Sequence, residues 1–209
     1  MLDAPASLVQ AFKAKGHKVI CYFSAGTWEK WRADADQFPA AALGRTVGGW
    51  PNERWLNTSN PEVRDIMVAR MKVGQAKGCD GVDPDNIDGY ENNTGFDITE
   101  DQAVDYVQFL QRTANSLGMA AGLKNGGDII PRVINGSAWS VNEQCVQYNE
   151  CEPYQAFIKQ NKPVFHLEYT KKAPAPKSFV KKSCDDPQAK GFSTLVKHLS
   201  LNQWTTTCK

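Results

Sequence analysis

Short apolar runs recur along the chain, and each gives way to polar residues or glycine. HKVICYFSAG (17–26) reads as a buried strand running into a glycine turn, and ERWLN (53–57) as a short strand. Between them and beyond, the pattern turns helical. Ser7 to Lys15 forms a helix ahead of Gly16. A second helix starts at Asn60 as cap with Pro61 in its first position, carries Val63, Ile66, Met67 and Met71 on one side, and stops at Gly78. GVDPD (81–85) follows as a strand. DITEDQAVDYVQFLQRTANSLG holds a third helix, with Thr99 as cap, Gln102 completing a capping box and Gly118 as stop. MAAGLKN (119–125), WSVNEQC (139–145), PVFHLEY (163–169) and GFSTLVK (191–197) read as further strands, with helical segments near 127–135, 153–161 and 176–189.

Strands separated mostly by helices predict a parallel sheet. Nearly continuous apolar strands with polar C-terminal ends suit an α/β fold of the (β/α)8 TIM-barrel type, here one domain over residues 1–209. The alternative is a doubly wound open sheet, which usually carries a glycine-rich phosphate loop, and neither GxGxxG nor GxxxxGK[ST] occurs. The pattern gives seven strands where a barrel has eight, and it opens on a helix. The expectation is therefore a TIM barrel lacking its first strand.

The 209 residues, 41% hydrophobic and 22% charged, are enough for one sizeable core. A net charge of +1, with no concentrated basic stretch, argues against nucleic acid as a partner, and no apolar run approaches a membrane span. The chain is expected to be a monomer without a cofactor. Its cysteines lack CxxC spacing, and only His17, His166 and His198 could assist them, so no metal is expected there. Cys145 with Cys151 and Cys184 with Cys208 are expected as disulfides, hence an extracellular protein, whereas Cys21 and Cys79 are expected as buried thiols. Sequons at Asn57, Asn92 and Asn135 agree with that location.

Acidic residues concentrate at Asp80, Asp83, Asp85, Asp88 and Glu91. Counted as a calcium loop from Asp83, position 5 is Ile87, position 6 is Asp88 and position 12 is Thr94, so that pattern fails. In a parallel barrel the strand C-termini form the reactive face. Alternation puts Asp83 and Asp85 on one face of their strand, and His166 and Glu168 on one face of theirs. Pro84 is tolerated where the strand leaves the sheet. Two carboxyl groups flanking a bond are the equipment of glycoside hydrolysis, and Asp85 and Glu143 are the best-placed pair, with Lys124 on the strand between them. Strand-end acids also serve as metal ligands, bases for other chemistry or structural acceptors. Tyr22, Trp28, Trp50, Tyr90 and Tyr169 could stack on sugars or simply pack.

KVICYFSAGTWE, GCDGVDPDNIDGYENNTGF, GLKN, VNEQCVQYNEC and VFHLEY, in that order, resemble the barrel domain of glycoside hydrolase family 114, which contains endo-α-1,4-polygalactosaminidases. The resemblance runs from about Lys15 to Cys208. It implies endo-acting hydrolysis of α-1,4-linked galactosamine polymers with retention. Asp85 matches the family's nucleophile, with Asp83 as its rival, and Glu143 matches the acid/base. Asp83, Asp88, Tyr90, Lys124, Asn125, Glu168, Tyr22 and Trp28 are the expected substrate-binding residues, and a galactosamine-rich polysaccharide is the expected partner. The family's tryptophan-rich first strand and the aspartate segment after it have no counterpart here. A carbohydrate-binding barrel without catalysis, or a related α-glycosidase for another sugar, are the competing readings.

Overall fold

The computed structural model describes residues 3–208, which divide at Lys124/Asn125 into two compact units. In the first unit, helix α1 (Ala6–Ala14) leads into strand β1 (Ile20–Ser24). A side sheet follows, made of β2 (Thr27–Glu29), β3 (Leu43–Val47) and β4 (Trp50–Leu56). Then come helix α2 (Pro61–Lys77), β5 (Gly81–Asp85), helix α3 (Glu100–Ser116) and β6 (Ala120–Lys124). In the second unit β7 (Trp139–Glu143), β8 (Val164–Tyr169), β9 (Ser193–Lys197) and β10 (Thr205–Thr207) alternate with the short helices α4 (Ile130–Val133), α5 (Cys145–Tyr148) and α6 (Gln155–Lys159) and with α7 (Lys177–Asp185).

The helices form where local signals start and stop them. Asn60 Oδ1 accepts the N–H groups of Glu62 and Val63, and Gly78 closes α2 at φ 87°. Thr99 and Gln102 exchange both capping-box bonds at the start of α3. The buried side of α2 holds the expected Val63, Ile66, Met67 and Met71, and it also holds Arg70. Arg70 donates to both Asp34 oxygens and to the Ser24 carbonyl, so its charge is matched rather than stranded.

β1 pairs in parallel with all of β5, from Ile20–Gly81 to Ser24–Asp85, and β5 pairs in parallel with β6. The β5–β6 register runs through Gly81–Ala120 and Val82–Ala121, before Pro84, whose missing N–H therefore interrupts no bond of that register. In the second unit β7, β8 and β9 are parallel, and β10 returns antiparallel to β9.

Two sequence expectations change here. ERWLN is a strand, but β4 pairs antiparallel with β2 and β3 rather than joining the parallel strands. Among the described residues, the strands outside that side sheet are β1, β5 and β6 in the first unit and β7, β8, β9 and β10 in the second, so the seventh is Thr205–Thr207 rather than ERWLN. Cys21 and Cys79 are not free thiols. They form a disulfide with Cα atoms 5.9 Å apart, because β1 lies beside the lead-in to β5. The Cys145–Cys151 and Cys184–Cys208 bridges are present as expected. Among the described residues, no helix is long and apolar enough to cross a membrane.

Candidate active site

Asp85 is the last residue of β5, where the chain turns away from the sheet. The turn is built around its own main chain. The Asp85 carbonyl accepts the N–H groups of Ala25 and Gly26, and Asn86 follows with φ 60°, in the left-handed region. Asn86 Nδ2 donates to Ser24 Oγ at 3.0 Å, which ties this turn to the end of β1. The carboxylate then collects three donors. Lys124 Nζ lies 2.9 Å and the Asn86 N–H 2.8 Å from Oδ1, and the Tyr22 hydroxyl lies 2.8 Å from Oδ2. Lys124 is 7% exposed, so its ammonium is directed inward rather than solvated. Burial, followed by the charge of Asp85 and the hydrogen bond to it, pushes the Tyr22 phenol far above its ordinary range, so it remains a donor. The three donors suit an acceptor-only carboxylate.

Asp83 stands on the same face two residues earlier, opposite Tyr22 in the β1–β5 register. Asp88 follows in the loop that leads to the turn Gly89–Glu91. Burial, reinforced by the charge of Asp85 and opposed by that of Lys124, raises the Asp88 carboxyl above the usual aspartate range. Tyr90 lies half-buried in that turn. Trp28 sits on β2, and its indole N–H is occupied by the Ala35 carbonyl at 2.9 Å, which leaves the ring to act only through its faces. The side sheet brings two acids the sequence reading did not single out. Glu29 and Glu53 face one another across the β2–β4 ladder, and both act electrostatically on Tyr22. Glu53 was missed because ERWLN read as a barrel strand, whose role would have been core rather than rim, and Glu29 because no strand was read at 27–29.

In the second unit Glu143 ends β7. The Tyr169 hydroxyl donates to its Oε1, and its main-chain N–H donates to Asn125 Oδ1 at 3.0 Å. Asn125 thus acts on Glu143 through the backbone. Gln144 follows with φ 66°, and α5 begins immediately after it with the Cys145–Cys151 bridge.

Glu168, on β8, is 1% exposed. Its Oε1 accepts the N–H of Val146 at 2.9 Å and of Gln147 at 3.3 Å, and lies 3.0 Å from His166 Nε2. Glu168 therefore anchors the segment that follows Glu143. Alternation placed it correctly beside His166, but could not reveal that α5 covers both.

Cys145, Cys151 and His166 bring ligand atoms within 4.8 Å of one another. The two sulfurs are bonded to each other, and a disulfide offers a metal no thiolate.

The model of glycoside-hydrolase family GH114 matches residues 1–209. Among solved structures, the chain is similar to Aspergillus fumigatus Ega3 in complex with galactosamine, at 46% identity and TM-score 0.94, over 97% of this chain and 83% of that one. It is also similar to the glycoside hydrolase domain of PelA from Pseudomonas aeruginosa, at 16% identity and TM-score 0.70, over 98% and 87% of the two chains; that likeness is one of fold. No curated protein sequence matches it. The α/β fold class read from the sequence is borne out, since both units alternate parallel strands with helices and the likeness to glycoside hydrolases spans nearly the whole chain.

Proposed function

Because the chain belongs to glycoside-hydrolase family GH114 and is a glycosidase, we propose that it cleaves α-1,4-linked galactosamine polymers internally and with retention. One observation carries this reading. Lys124, Tyr22 and the Asn86 N–H converge on the Asp85 carboxylate at the end of β5, in a chain 46% identical to Ega3, whose structure is a complex with galactosamine.

In the proposed reaction an Asp85 oxygen attacks the anomeric carbon while Glu143 protonates the departing glycosidic oxygen. The linkage breaks as the carbon–Asp85 bond forms. Water then gives its proton to Glu143 and its oxygen to the same carbon, which releases Asp85 and resets both groups. The Tyr169 hydroxyl donates to Glu143 Oε1, so the transferable proton is assigned to Oε2. Asp83, on the same face, is the rival nucleophile, and the donors around Asp85 favour Asp85. Asp88, Tyr90 and the face of Trp28 are assigned to the sugar, with Lys124, Tyr22 and Asn125 holding the two carboxyl groups. Three disulfides suit an oxidising compartment, and the proposal places the enzyme outside the cell, acting as a monomer.

The test is reducing-end release from unacetylated polygalactosamine. Asp85→Asn should abolish it, Glu143→Gln should lower it by about 10²–10⁴-fold, and Asp83→Asn should retain turnover. Added azide should yield the β-glycosyl azide with Asp85→Ala and the α-glycosyl azide with Glu143→Ala. Full activity in Asp85→Asn, or azide products of the opposite configurations, would overturn the assignment.

A further inference from the structure

We propose that Glu53 reads the cationic amine of the sugar attacked by Asp85, and so makes the enzyme prefer unacetylated over N-acetylated residues. The proposal rests on the function given above and adds to it the residue that selects the substrate's charge.

Glu53 and Glu29 are register partners on β4 and β2, so two carboxylates project from directly opposed positions. Like charges so placed repel. Glu29 is compensated, because Arg32 grips it with Nε 2.6 Å from Oε2 and Nη2 2.7 Å from Oε1. Glu53 has no such answer. Among the described residues its partner is the Thr27 hydroxyl, 3.0 Å from Oε2, and no cation pairs with it.

The local hydroxyl network fixes the direction of that bond. Ser24 Oγ accepts from Asn86 Nδ2 at 3.0 Å and from the Thr27 N–H at 3.1 Å. Both lone pairs of Ser24 are then used, so its proton goes to Thr27 Oγ1 and the Thr27 proton goes to Glu53. The same Asn86 donates its main-chain N–H to Asp85. Glu53 is thus held as an acceptor by the turn that seats Asp85. Burial, opposed by the Thr27 bond and more weakly by the charge of Arg32, and reinforced by the charges of Glu29 and Asp85, lifts its carboxyl above the usual glutamate range. Arg32 is engaged with Glu29, so among the described residues Glu53 carries no ion pair of its own.

The chemistry of the sugar says what meets it. In a 2-amino-2-deoxyhexose the ammonium sits on the carbon next to the anomeric centre. A group that reads it must stand near the carboxylate that attacks that centre, and Glu53 is linked to Asp85 through Thr27 and Asn86. An N-acetyl group brings no charge and leaves Glu53 uncompensated. Asp88 is the competing acid, but Lys124 already acts on its carboxyl, while the Asn92 side chain donates to its main-chain carbonyl.

Calorimetric titration of galactosamine and of galactose into the wild type, Glu53→Gln, Glu53→Asp and Asp88→Asn tests the assignment. The wild type should prefer galactosamine. Glu53→Gln should weaken galactosamine by about 10- to 100-fold and leave galactose unchanged, and Glu53→Asp should recover part of the preference. The same split should appear in kcat/KM between unacetylated and partly acetylated polymer. Equal losses for both sugars, no loss, a preference carried by Asp88 instead, or no wild-type preference would overturn it. Glu53-dependent galactosamine binding without polymer cleavage would overturn the proposed hydrolysis and leave this assignment standing. Cleavage indifferent to Glu53→Gln would do the reverse.

Discussion

Asp85 owes its position to Gly26, distant in sequence and next to its turn in space. A Cβ on Gly26 would lie 1.6 Å from the Asn86 carbonyl oxygen, a backbone atom that cannot swing aside. Gly26→Ala must therefore push the Asn86 turn away and release both the Asp85 carbonyl and its side chain. The expected cost is about 2–4 kcal/mol in urea unfolding, together with loss of polymer cleavage in the fraction that folds. The acids nearby make a subtler prediction. Glu53 is raised in the folded state, so folding is penalised at neutral pH, and the penalty fades as pH falls through the raised folded value toward the unfolded value of about 4.3. Glu53→Gln should raise the melting temperature of the ligand-free protein at pH 7, and that gain should vanish near pH 4. A variant more stable yet less selective would be the signature of a residue kept for binding.

Among the elements, α2 and α3 were legible because their signals are local. Asn60, Thr99, Gln102 and Gly78 each act within a turn of their own backbone. Thr99→Ala should cost about 1 kcal/mol of stability, since it removes the hydroxyl that accepts the Gln102 N–H, while the residue's own main-chain N–H still donates to Gln102 Oε1. Arg70 on α2 was not legible as a core residue, because its burial depends on Asp34 and the Ser24 carbonyl arriving from distant segments. Arg70→Ala should cost about 3 kcal/mol by denaturant titration, as it strands Asp34. Burial alone would raise Asp34, but the hydrogen bonds and charge of Arg70 outweigh it and hold it below the usual range. The pair's contribution is thus complete above the unfolded value, about 3.9, and is lost as pH falls through the lower folded one. The strands that carry Asp85 and Glu143 were readable from their apolar runs. The pairing partner of β4 was not, because parallel and antiparallel neighbours leave the same short sequence pattern. The burial of Glu168 was not legible for the related reason that a strand's two-residue period shows which face a residue takes and not what will cover it.

At the scale of the molecule, the three disulfides differ mainly in the length of chain they close. Separations of 58, 24 and 6 residues correspond to chain-entropy stabilisations of about 4, 3 and 2 kcal/mol. Paired Cys→Ala replacement should therefore rank Cys21–Cys79 first, Cys184–Cys208 second and Cys145–Cys151 last in loss of thermal stability. Activity should respond differently, because Cys145 opens the segment that follows Glu143 and the shortest loop then matters most to turnover. Net charge, at +1, conceals a local imbalance. Glu29, Glu53, Asp85 and Asp88 outnumber the cations Arg32 and Lys124 that act on them. That imbalance sets up a field felt over about 8 Å at physiological ionic strength and collapsed by concentrated salt. Capture of a polycation should then slow steeply as sodium chloride is added. A small primary-ammonium buffer such as Tris should compete for the uncompensated Glu53 carboxylate, so that the same enzyme would look sluggish in Tris and fast in a phosphate buffer of equal ionic strength.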